Sequence, residues 1–250
     1  MKNMKPIRLI VLLLITVIIA VPVVFWGVSS DKDYKTKALL RKASAYNKEE
    51  KIDEIIHLLE PYADTLGDRV VSPTKGTIPV CITERLGFAY LKKKDDEHAL
   101  PYLERAMLVL TGSEIRYDGK VLYYESGLSF IVSACRIRLI TAGKKLDNLC
   151  ILNHNKRIKC ITIDNKQYIS LREIAALIAH VNLSGDRPYI LTRSGEKLII
   201  SCADGPLPKG TIRGYMQGTT LYVPASVITM LPGGRVESNE KAQMLWLYID

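Results

Sequence analysis

Cys160-Ile-Thr-Ile-Asp-Asn-Lys-Gln-Tyr-Ile-Ser170-Leu-Arg-Glu-Ile-Ala-Ala-Leu-Ile178 holds the pattern that decides the fold of the C-terminal part of this chain. Apolar and polar residues alternate over 160–164, which predicts a half-buried strand. Asn165-Lys166 reads as a turn, and 167–169 as the returning strand. Ser170 then opens a helix. With Glu173 three residues on it forms a capping box, in which hydroxyl and carboxylate each satisfy a free backbone amide. Leu171, Ile174, Leu177 and Ile178 give that helix an apolar stripe. Residues 188–192 and 197–201 follow as a hairpin around Ser194-Gly195.

The same order returns further on. Residues 211–216 read as a strand, Gln217-Gly218-Thr219 as a turn, and 221–223 as a strand. Pro224 suits the start of a helix, where its fixed φ is right and its missing donor costs nothing. Val227, Ile228 and Leu231 continue that helix, and Pro232-Gly233-Gly234 stops it. A last hairpin runs over 235–237 and 244–249 around Ser238-Asn239. Tyr168 and Tyr222 stand 54 residues apart in equivalent places, as do Ile169 and Val223, Ile174 and Ile228, and Leu177 and Leu231. Residues 148–250 therefore read as a small α+β domain made of two β-hairpin/helix repeats.

That arrangement resembles the stalk domain named after the N-terminal part of copper amine oxidases, common in exported Gram-positive proteins. The residues that carry the resemblance are Ile163-Asp-Asn-Lys-Gln-Tyr-Ile-Ser-Leu-Arg172 and Gly218-Thr-Thr-Leu-Tyr-Val-Pro224. Ser170 stands where the motif has proline, and Ala225-Ser226 where a Leu-Arg-like pair is expected. The resemblance implies no copper and no amine oxidation. That chemistry belongs to another domain and needs clustered histidines and a Tyr set between Asn and Asp or Glu. This chain has four scattered histidines and no such triplet.

Upstream, 34–147 reads as a short all-α helical array. Ile52, Ile55, Ile56 and Leu59 recur at i, i+3, i+4 and i+7, one buried stripe. Leu86, Gly87, Tyr90, Ala99, Leu103 and Ala106 are placed so that two small residues let a pair of helices approach while larger ones fill the groove. This spacing resembles a tetratricopeptide repeat, best over 80–113, with a degenerate copy before it. Beyond the Asp118-Gly119 turn, 121–141 reads as a capping helix with Leu128, Ile131, Val132, Cys135 and Leu139 on its apolar face. The resemblance implies a protein-binding concave face that would present Lys37, Asn47, Glu84 and Lys92. The bland reading of the same four is solvated surface charge.

From Leu9 to Val28 there is no charge and one polar side chain, Thr16. Crossing a bilayer takes about 20 apolar residues, so 9–28 is expected to be a transmembrane anchor. Lys2, Lys5 and Arg8 make 1–8 a basic tail that stays cytoplasmic and leaves the body outside. A signal peptide cleaved after Ser30 is the rival, and would give a secreted protein. The expected fold class is thus α+β: an N-terminal transmembrane helix, the helical array, then the two-repeat domain.

The charge of +9 divides as +3, +2 and +4 over 1–30, 31–149 and 150–250. No dense basic stripe is present, which argues against a nucleic-acid surface. Five cysteines stand at 81, 135, 150, 160 and 202. Cys150 and Cys160, symmetric about Asn155, are a candidate disulfide if 152–157 forms a hairpin loop. The Cys-x3-His-x5-Cys spacing that includes them matches no standard zinc motif, so no metal and no cofactor is expected. Ser238-Asn-Glu-Lys241 has the S-x-x-K form but sits on a turn, and Walker, G-x-S-x-G and H-E-x-x-H patterns are absent. The sequence points to a non-enzymatic, outward-facing envelope protein, single-pass in the membrane, that binds a protein partner. A wall-polymer binding module, and an enzyme of unknown type, are the alternatives.

Overall fold

The structure, a computed structural model, describes residues 31–72, 78–117, 120–123, 127–153, 155–175, 181–182, 188–203 and 205–249. Helix α1 covers 31–48 and α2 covers Ile52–Leu59. The stripe on α2 is buried at Ile55, Ile56 and Leu59, with Ile52 packed at the edge of the core. A 3-10 turn, Glu60–Tyr62, ends that helix.

Helices α3 (Ile82–Lys92) and α4 (Asp96–Leu110) form a tight hairpin. Asp95 caps α4 by accepting the His98 amide at 3.2 Å. Gly87 is what brings the two helices together. A Cβ there would stand 2.6 Å from Cγ and Cδ2 of Leu103, and 3.3 Å from the Leu103 amide nitrogen. The Tyr90 hydroxyl crosses to Glu60 at 2.7 Å and ties α3 to the end of α2.

The expectation of one helix over 121–141 is corrected. Strands β1 (Glu114–Tyr117) and β2 (Lys120–Tyr123) pair antiparallel, and α5 begins only at Leu128. Tyr117 pairs with Lys120, so the connection is the two-residue Asp118-Gly119. That dipeptide between apolar runs rich in β-branched and aromatic residues is a hairpin signal. The helical segment is therefore not all-α.

Among the described residues the remaining strands make three four-stranded sheets. The first runs in the order β11 (Tyr215–Gln217), β12 (Thr220–Pro224), β6 (Lys166–Ser170), β5 (Cys160–Ile163). At its centre Ile169 pairs with Val223, Tyr168 with Pro224 and Ser170 with Tyr222. Under the 54-residue shift Tyr168 and Tyr222 are equivalent, as are Ser170 and Pro224, so the pairing is reciprocal about Ile169–Val223, which marks a local two-fold axis. The turn between β5 and β6 falls on Asp164-Asn165, both at positive φ (49° and 60°), as a two-residue hairpin of the right twist demands. Each first hairpin leads into a short helix: α6 (Leu171–Ala175) after β6, and the 3-10 helix Ala225–Met230 after β12.

The second sheet is β10 (Thr211–Arg213), β9 (Lys197–Ser201), β8 (Tyr189–Leu191) and β7 (Val181–Asn182). The single strand expected over 211–216 is broken at Gly214, where the chain passes from the second sheet to the first. A Cβ there would stand 2.8 Å from Ile200 Cγ2 and 2.9 Å from Leu221 Cδ1, so a larger residue would force those side chains to shift.

The third sheet, β13 (Arg235–Asn239), β14 (Met244–Tyr248), β3 (Leu149–Leu152) and β4 (Lys156–Ile158), joins the two parts of the chain. β3 and β14 pair in parallel. Side chains alternate across a strand, and here both faces are buried. Leu149, Ile151 and Met244 pack into the helical core, while Cys150, Leu152, Leu245 and Leu247 pack into the core shared with α6 and the first sheet. Such a strand reads as a continuous apolar run. Arg136 of α5, 2 % exposed, fastens this junction. Its Nε donates to the Ala242 carbonyl at 2.7 Å, one terminal nitrogen to Glu104 Oε1 at 2.5 Å, and the other to the Asp147 carbonyl.

The expected fold class is corrected in its membrane part as well. Among the described residues no helix is long and apolar enough to cross a membrane. The stretch 9–28, where a transmembrane helix was expected, lies outside the described residues, as do 1–8 and the cleavage point after Ser30.

Candidate binding groove

Of the four residues expected on a concave helical face, the structure brings two together. Lys92 at the end of α3 and Asn47 near the end of α1 meet, with Lys92 Nζ donating to Asn47 Oδ1 at 2.7 Å. Beside them Lys93 pairs with Asp53 at 2.7 Å. These contacts hold helix ends together. Lys37 lies half-buried on α1. Glu84 sits inside the first turn of α3, 9 % exposed, with Oε2 lacking any hydrogen-bond partner. Burial pushes its carboxyl above the ordinary carboxylate range, against the weaker pull of Arg85.

A broad concavity lies elsewhere. A groove of about 1640 Å³ runs between the first and third sheets, with the connector 146–148 along one side. Its apolar floor comes from Ile161 and Ile163 of β5, Tyr222 and Pro224 of β12, and Val236 of β13. Over that floor stand amides and hydroxyls: Asn165 and Gln167 at the first hairpin, Gln217 on β11, Thr229 on the 3-10 helix, Ser238 and Gln243 on the last hairpin. Three cations (Arg157, Lys159, Lys166) face three carboxylates (Asp147, Glu173, Glu240), so the lining carries no net formal charge.

Part of this lining is held in place by the protein itself. The Lys159 amide donates to Glu173 Oε2 at 2.5 Å, so the carboxylate of the expected capping box reaches past Ser170 to the link between β4 and β5. The Ser170 amide instead donates to the Lys159 carbonyl at 3.0 Å. Asn148 Nδ2 donates to Thr162 Oγ1 at 2.8 Å. Arg157, half-exposed, reaches Glu104 Oε2 at 3.4 Å. Tyr215 and Gln217 on edge strand β11 are exposed and make no such contact with the floor.

All five cysteines are free thiols. The expected hairpin exists, but its register sets Cys150 opposite Ile158, and Cys160 belongs to β5 of another sheet. Both nevertheless pack in or against the same core, where the Cys160 thiol donates to the Asn148 carbonyl at 3.6 Å. The Cys160 side chain, then burial, pushes Cys150 up. Cys150 in turn pulls Cys160 down, helped against burial by the Arg157 and Arg136 cations. Burial pushes Cys81 up to about 11 and Cys135 to about 12, so both are inert packing groups.

Among the described residues no three His, Cys, Asp or Glu side chains are grouped so as to hold a metal ion. The groove residues were not evident from sequence because Asn, Gln, Ser and Thr at strand ends are also what solvated turns use. Compared with protein-family models, with curated proteins and with solved structures, the chain matches none.

Proposed function

We propose that this protein is a non-catalytic binding module whose groove takes a polar, uncharged polymer of the kind found in cell-wall glycans. The lining carries the reading: hydroxyls and amides, with charges in balance, stand above an apolar floor that includes Tyr222. Sugars present the matching combination of hydroxyl and acetamido groups with apolar ring faces. A strongly anionic ligand would call for an excess of cations that this groove lacks. An outward-facing body is part of this proposal, since that is where such a polymer lies.

The test is sedimentation of the full chain with insoluble peptidoglycan, beside a Tyr215→Ala/Gln217→Ala variant. Both residues are exposed on an edge strand, so the variant keeps its core. Binding by the parent should fall about tenfold in the variant, the loss of roughly 1.4 kcal/mol. Equal pelleting of the two, or none by the parent, overturns the reading.

A second reading, a protein partner on the helical segment, is favoured by Phe130, which stands 80 % exposed on α5. Cross-linking in cells that recovers the same protein from the parent and from a Phe130→Ser variant would count against that surface.

A further inference from the structure

We infer that the outward face of α1 is a docking surface for an anionic lipid bilayer. This stands independently of what the groove binds. Charge complementarity carries it. Helix α1 holds six cations (Lys32, Lys35, Lys37, Arg41, Lys42, Lys48) against two acids, Asp31 and Asp33. Residues 49–149 carry a net charge of −2, so the positive charge of the helical segment is gathered on this one helix. Residues 1–30 add three cations and no acid, which places +7 of the chain's +9 within 1–48. Of the two acids on α1, Asp33 is taken up by Arg69, whose Nε donates to it at 2.5 Å.

The helix sorts its residues by side. Leu40 and Ala43 belong to the helical core, and Thr36 is buried beside them. Tyr34, Ala38, Arg41, Ala45 and Lys48 recur every three or four positions on the opposite side, and all five are exposed. Tyr34 is 73 % exposed. Lys35 and Lys42, seven positions apart, run beside this stripe and are exposed too. Their ammonium groups rest over the rings of Tyr62 at 4.6 Å and Tyr46 at 5.7 Å, contacts that hold the side chains in place without cancelling their charge.

This face suits a flat partner. The helix is about 27 Å long and offers one strip with small residues at its middle, so it can lie close against headgroups. The Tyr34 ring pairs an apolar body with a hydroxyl, the combination that settles at headgroup level. Long Lys and Arg side chains reach phosphates from both flanks of the strip. The apolar area of the strip is small, so the helix rests on the surface by charge and does not sink into the acyl chains. Each Lys or Arg near an anionic membrane strengthens binding about fivefold, and salt screens the gain.

The full chain is mixed with vesicles of phosphatidylcholine alone, or of equal parts phosphatidylcholine and phosphatidylglycerol, and briefly acetylated with an amine-reactive reagent. Chymotryptic digestion and mass spectrometry read each lysine. Lys35, Lys42 and Lys48 should be acetylated about fivefold more slowly on the anionic vesicles, and high salt should abolish the difference. Lys209 and Lys241, exposed on the two-repeat domain, should label alike on both. In Lys42→Glu/Lys48→Glu, which changes only exposed residues, the difference at Lys35 should vanish. Equal labelling of Lys35 on the two kinds of vesicle overturns the inference. Equal slowing at Lys209 and Lys241 also overturns it, since the effect would then belong to the net charge of the chain. Soluble polyglutamate that protects Lys35 as well as the anionic vesicles do would assign the face to acidic proteins and overturn it too.

Discussion

Replacing Arg136 by methionine should be among the most damaging single substitutions in the chain. Methionine keeps most of the aliphatic volume and removes the guanidinium that donates to Ala242, Asp147 and Glu104. Glu104 is 8 % exposed, so its charge is left in the interior. Removing one partner of a buried ion pair costs about 3–5 kcal/mol. Arg157, at 3.4 Å and half-exposed, still faces Glu104, which places the loss near the lower end, about 3 kcal/mol. If the uncompensated charge is the main cost, Arg136→Met with Glu104→Leu should recover most of it. The double variant should lose only about 1 kcal/mol, for two carbonyls left with weaker partners. Urea denaturation followed by tryptophan fluorescence reads this, because Trp246 packs partly buried beside the helical core. A single variant that loses less than about 1 kcal/mol, or a double variant that loses the sum of the two singles, would refute the claim that Arg136 fastens the two parts.

Two more outcomes follow from the helical hairpin. Gly87→Ala should lower the melting temperature. The added methyl overlaps Leu103 and its amide limits retreat, at a cost of about 1–3 kcal/mol, against about 1 kcal/mol regained in helix propensity. A thermal melt with an unchanged or higher midpoint would show that α3 and α4 are not as closely apposed as described. Glu84→Gln should stabilise the protein at pH 7 by about 1 kcal/mol. The folded-state carboxyl titrates above its unfolded value of 4.5, so its ionised form opposes folding, and that opposition fades as pH falls toward the unfolded value. The gain should therefore shrink between pH 7 and pH 4.5, and a gain equal at both would sink the burial argument.

What could be read from the sequence was local. The α2 stripe and the β5–β6 and β8–β9 hairpins repeat at helical or strand period within a dozen residues, and their side chains lie where the period puts them. The β5–β6 turn is displaced by one residue, onto Asp164-Asn165. What was not legible lay where a partner is far along the chain. Leu149–Leu152 is a short apolar run with no period, and its parallel neighbour is Met244–Tyr248. Arg136 looks like any helical surface charge until Ala242 and Asp147 are placed against it. The strands over 114–117 and 120–123 were missed because each is only four residues long, and the turn expected at Asp118-Gly119 lies outside the described residues. The groove was hidden for a chemical reason: its lining uses the residue types of ordinary solvated loops.

The two-fold axis through Ile169–Val223 has a consequence for assembly. An axis of that kind normally relates two identical subunits through an isologous interface. Here both halves belong to one chain, so each carries the strand edge that the other needs. In a concentrated refolding mixture β6 of one molecule can accept β12 of a second through the same register, and two chains can exchange halves without making a single new contact. The molecule therefore carries within it the template for its own domain-swapped dimer, and the length of chain between α6 and β12 sets how readily the exchange occurs.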